Sequence, residues 1–110
     1  MYQNMYQIII RNGGGDQQTF DKVCGLIRDR YSWDATFAAF DGEWSGTLYV
    51  YDDDFARVCA KIAADNGFVS RFTIETIDLE SNDPKDAFCM YRVWDGKIEM
   101  LKGRVVYERI

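Results

Sequence analysis

At 110 residues, 47% hydrophobic and 15% aromatic, the chain has enough apolar material for one core and too much for intrinsic disorder. Its 13 basic against 18 acidic side chains leave a net charge of -5, which opposes long-range attraction to nucleic-acid phosphate or anionic lipid and favours basic partners. No apolar run reaches the roughly 18 residues of a membrane span, Met1-Tyr2-Gln3-Asn4 is not a secretory signal, and Cys24, Cys59 and Cys89 lack a C-x-x-C spacing, so reduced thiols and a cytoplasmic location are expected.

Tyr6 to Arg11 is β-branched at its centre and runs into Asn12-Gly13-Gly14-Gly15, the pattern of a first strand leaving through a loop. Asp16 suits a helix N-cap. Phe20, Val23, Cys24, Ile27 and Tyr31 then recur at helical spacing, with Asp21, Lys22, Arg28 and Asp29 turned away. Two extended segments, Ala35 to Phe40 and Thr47 to Tyr51, flank Asp41-Gly42-Glu43-Trp44-Ser45-Gly46, whose glycines predict a hairpin turn. Asp52-Asp53-Asp54 opens a second helix with Phe55, Val58, Cys59, Ile62 and Ala63 on one face and Asn66-Gly67 as its stop. Phe68 to Ile77 resumes an extended pattern, and the acidic run 78–86, holding the one proline, reads as a surface loop. Phe88 to Val93 and Ile98 to Tyr107 flank Trp94-Asp95-Gly96-Lys97, a second hairpin signal, and Lys102-Gly103 is placed to bend the last strand.

Phe20, Val23, Cys24 and Ile27 match Phe55, Val58, Cys59 and Ile62 at one constant offset, which Phe37 and Phe72 keep. The repeating unit is therefore strand, helix, strand. Two such units predict an α+β, ferredoxin-like split βαββαβ antiparallel sheet with two helices on one face, plus a C-terminal β-hairpin extension. One domain spans 1–110: a tandem βαβ core over 5–77, an acidic loop over 78–86 and a β-ribbon over 87–110.

Motifs for catalysis or metal binding fail on inspection. The glycine run lacks the G-K-[ST] ending and the third glycine of G-x-G-x-x-G, and Asp16 puts a negative charge where an anion would sit. Asp52 to Asp54 suits helix capping better than metal binding, with more carboxylates than one cap needs. The run from Asp78 has Asp83 and Cys89 where a calcium loop wants Gly and Glu. Cys24 and Cys59 sit on apolar helix faces, and no histidine exists to activate a thiol. No catalytic residue, cofactor or metal is expected.

Strand alternation sends Leu48 and Val50 to the core and Thr47, Tyr49 and Tyr51 to the opposite face, which suits either protein recognition or covering by the C-terminal ribbon. The residues expected to meet a partner are Asp41, Glu43, Tyr49, Tyr51, Asp52, Asp53, Asp54, Asp78, Glu80 and Asp83.

Ser45 to Tyr51, with Asp53, Ala56, Ala60 and Asn66-Gly67, resembles the third strand and second helix of an RNA-recognition motif, and Ile8 to Asn12 resembles its first strand. The resemblance implies base stacking on exposed aromatics. Only Tyr49 stands at such a position, with Ile9 and Thr47 at two others and Ser45 where a basic residue usually opens the motif, so direct nucleic-acid binding is not expected. Short, acidic and motif-free, the chain is similar in composition to phage or mobile-element inhibitors of host defence, anti-CRISPR proteins among them. The leading expectation is a non-enzymatic interaction or inhibitor protein that meets a basic or nucleic-acid-binding protein. The alternatives are a dimeric small-molecule-sensing regulatory domain, an RNA-recognition-like nucleic-acid binder, and an enzyme using carboxylates or tyrosines.

Overall fold

Both apolar stripes form helices in the computed structural model, which describes residues 4–39, 42–50, 54–82 and 87–102. Helix α1 (Gln17–Tyr31) starts where the Asp16 carboxylate accepts the Thr19 amide at 2.9 Å, and it ends on Ser32 in the left-handed region. Helix α2 (Asp54–Asp65) ends at Gly67, whose φ is +76°. There the Phe68 amide donates to the Ala63 carbonyl and the Gly67 amide to that of Ala64, the paired bonds of a Schellman cap. Phe68 thereby turns into the core at 3% exposure instead of continuing a strand.

The strands are β1 (Asn4–Asn12), β2 (Asp34–Ala38), β3 (Glu43–Val50), β4 (Phe72–Asp78), β5 (Phe88–Trp94) and β6 (Lys97–Lys102). Together with the two helices they make an α+β fold around one six-stranded sheet, ordered β2-β3-β1-β4-β5-β6, with every neighbouring pair antiparallel. The register puts Ile8, Ile10, Leu48, Val50, Phe72, Ile74, Tyr91 and Val93 on one face, where they form a single cluster with Phe20, Val23, Cys24 and Ile27 of α1 and Phe55, Cys59 and Ala63 of α2.

Several element boundaries differ from expectation, three of them by changing where a loop begins or ends. Glu43 to Gly46 belong to β3 and not to a loop, because Trp44 is buried beside Phe37 and its indole N–H donates to Asp21 at 3.0 Å. The chain is extended from Phe72, not Phe68. Asp78 closes β4 and does not open a loop. Covering of the open face by the 87–110 ribbon is one of the two expectations for that face. Among the described residues, β5 and β6 instead continue the sheet at its β4 edge, and Tyr49 keeps 52% exposure. Positions beyond 102 of the last expected strand lie outside the described residues.

Candidate functional site

Antiparallel register decides which of the sequence candidates meet. Met5 faces Tyr49, Asn4 faces Val50 and Tyr6 faces Asp78, so the exits of β3 and β4 lie at the same end of β1. Tyr49, Asp54, Asp78 and Glu80 gather there. Glu43 does not: it faces Arg11 near the far end of β3, seven residues from Val50. Asp41, Tyr51, Asp52, Asp53 and Asp83 lie outside the described residues.

Asp78 and Glu80 at this end also hold local backbone. Asp78 accepts the Asn4 side-chain amide at 3.3 Å and the Glu80 backbone amide at 3.0 Å, an Asx-type turn that stops the strand. Glu80 reaches back to the Met5 amide at 3.0 Å. Asp54 stands in the first turn of α2, where a negative charge opposes the helix dipole, and pairs with Arg57 at 3.2 Å. That pair is largely solvent-exposed, so it contributes little stability and stays open to exchange with a competing cation.

Glu43 has a different job. Arg11 binds it at 3.1 Å and also binds Glu75, in a three-residue cluster on the helix-free face. The hydrogen bond that Arg11 donates to Glu75 and the charges of both carboxylates hold the Arg11 guanidinium more firmly protonated, against the opposing effect of partial burial. Pairing across three strands was not legible in the sequence, because Glu75 sits 64 positions from Arg11.

The groups that could do chemistry are occupied or buried. In the glycine loop, the Asn12 side chain accepts the Gly14 and Gly15 amides at 3.1 and 2.9 Å, while the Gly13 amide donates to Arg71 at 2.8 Å. Those amides point at protein, not at an anion site. Cys24 and Cys59 are fully buried, and desolvation pushes both thiols up, Asp21 adding to the effect on Cys24 and Cys24 to that on Cys59. Cys89, partly buried, faces Thr76. A cavity of about 10 Å³ between α2 and the sheet, bordered by Tyr6, Val50, Phe55, Thr76 and Tyr91, has room for about one water molecule. Among the described residues no group of three His, Cys, Asp or Glu side chains could hold a metal ion, and no helix is long and apolar enough to cross a membrane. No protein-family model, curated protein or solved structure matches the chain.

Proposed function

We propose that the chain is a non-enzymatic interaction protein whose acidic sheet end docks a basic surface on a protein partner, of the kind that nucleic-acid-binding proteins present. The observation that carries this reading is the register that collects Tyr49, Asp54, Asp78 and Glu80 at one end of β1, with Asp52 and Asp53 next to that end in sequence. Arg30 and Arg57 stand near the same end, and Arg57 already pairs with Asp54. The surplus negative charge comes from Asp78, Glu80 and the run after Val50. Carboxylates so grouped form charge-assisted bonds to Arg and Lys, and their field speeds encounter with a positive surface. Tyr49 adds a half-exposed aromatic at the same end, on the helix-free face, and tyrosine is among the residue types that most often anchor an interface. Occupation of a nucleic-acid site in this way is the action of a phage or mobile-element inhibitor of host defence, an anti-CRISPR-like role that the chain's size and acidity also fit.

The framework is read as a ferredoxin-like split βαββαβ unit with β5 and β6 as an added hairpin. The β2-β3-β1-β4 order with antiparallel neighbours supports it. RNA-recognition-like binding is the weaker reading, since Arg11, the cation nearest the stacking positions, is held by Glu43 and Glu75.

The test is comparative affinity capture with the wild-type chain and a variant carrying Asp54→Asn, Asp78→Asn and Glu80→Gln. The amide oxygens still accept the local backbone bonds, so the fold is kept while the charge is removed. Wild type should retain a basic, nucleic-acid-binding protein that salt releases, and the variant should lose it. Equal recovery by both chains, or direct retention of nucleic acid, would defeat the proposal.

A further inference from the structure

The sheet has two broad faces, and only one carries helices among the described residues. The register places Met5, Ile9, Ile77, Phe88, Met90 and Leu101 on the other, adjacent across β1, β4, β5 and β6. Each is only partly buried. Tyr49 stands opposite Met5, Glu75 lies between Ile9 and Met90, and around them stand the cations Arg11, Arg92 and Lys97, with Arg71 reaching over the Trp94 ring at 5.5 Å, and the carboxylates Asp34, Glu43 and Glu99. Among the described residues, four positive and four negative groups leave this face neutral in a chain of net charge -5.

From this geometry we propose that the helix-free face is the contact between two copies of the chain, stacked sheet on sheet. Neutrality selects the occupant. A nucleic acid needs a positive face and a strongly basic protein a negative one, whereas a second copy brings the same apolar patch and the same balanced charges. Elsewhere, two copies of an acidic chain meet with like charges; across this face the balanced charges add no net repulsion. The size also fits. Six strands about 4.8 Å apart and about 23 Å long give a footprint of roughly 650 Å², near the ~800 Å² per partner of a standard interface. Face-to-face stacking buries the apolar side chains at the ~10 Å spacing of packed sheets.

The alternative contact between copies runs through β6, an edge strand whose Ile98 and Met100 are 38% and 54% exposed on the helix side. Lys97 opens that edge, and lysine on an edge strand opposes strand addition.

Light scattering at roughly 0.1 mM chain, a concentration well above the micromolar-to-picomolar range of interfaces this size, decides the matter. Wild type should weigh twice the 12.8 kDa chain. Ile9→Glu and Met90→Glu, which leave the helix-side core untouched and place a buried charge twice in a symmetric pair, should weigh one chain and keep the wild-type circular dichroism, with dimer association weakened roughly 10,000-fold or more. The wild-type Tm should rise with concentration and that of the variants should not. A monomeric wild type overturns the proposal, and so does a dimer that survives Met90→Glu. A dimer broken by Met100→Glu alone assigns the contact to β6 and overturns it too. The carboxylate variant used against a basic partner should leave the mass unchanged, so the two readings fail separately.

Discussion

Asp16 takes two hydrogen bonds from one residue: the Thr19 hydroxyl donates at 2.7 Å and the Thr19 amide at 2.9 Å. Those bonds, the hydroxyl's first, hold the carboxyl below its ordinary value of 3.8. A carboxylate depressed in the folded state stabilises it fully above the unfolded value, and that contribution is lost as pH falls through the folded value. Stability should therefore drop along an acid limb below about pH 3.8. Asp16→Asn keeps an acceptor for the helix amide but does not titrate, so its Tm should be lower at neutral pH and flatter across that limb. Acid limbs of equal steepness in the two proteins would show that Asp16 does not shape the helix start in this way. At this same scale the sequence reading succeeded for caps and failed for partners: Asp16 acts on a neighbour three positions away, while Glu43 and Glu75 act on Arg11 through strand pairing.

Strand β2 depends on a single glycine. A Cβ on Gly46 would fall inside the contact radius of the Asp34 carbonyl oxygen and crowd the Ala35 Cα, both main-chain atoms of the neighbouring strand. Backbone cannot swing aside as a side-chain end can, so Gly46→Ala should cost about 3 kcal/mol in urea unfolding, at the upper end for overpacking. A loss under about 0.5 kcal/mol, the range of an ordinary surface change, would show that β2 shifts freely. The helices were legible because an apolar residue every third or fourth position has one solution that buries them together. The β2–β3 turn was not legible, because its glycines mark two places to bend. What chose between them was burial of Trp44 at 8% exposure against Phe37, a contact outside any local window.

Cys24 and Cys59 report on the molecule as a whole. Matching positions in the two helices carry both thiols to zero exposure in the shared core, so reagent reaches them only when the helices leave the sheet. Ellman's reagent should modify Cys89 first, with Cys24 and Cys59 following together at a rate that tracks the free energy of global unfolding through a urea series. Three thiols reacting at one rate in native buffer would contradict a single cooperative core. The internal match of the two helices already pointed to this shared layer, and the alternation of Leu48 and Val50 with Tyr49 already pointed to which sheet side it would cover.

Apolar period, glycine placement and acidic capping, all carried by near neighbours, were enough to determine two helices, an antiparallel α+β sheet and the absence of a familiar catalytic motif. Pairing between distant strands decided the rest. It joined Tyr49, Asp54, Asp78 and Glu80 at one end of the molecule, sent Glu43 to the other, and laid β5 and β6 along the sheet edge so that, among the described residues, a neutral, partly apolar face stays without a helix. Register is a property of pairs of segments, and a one-residue slip exchanges the two faces of a strand, so no reading of one segment at a time could have placed these side chains together.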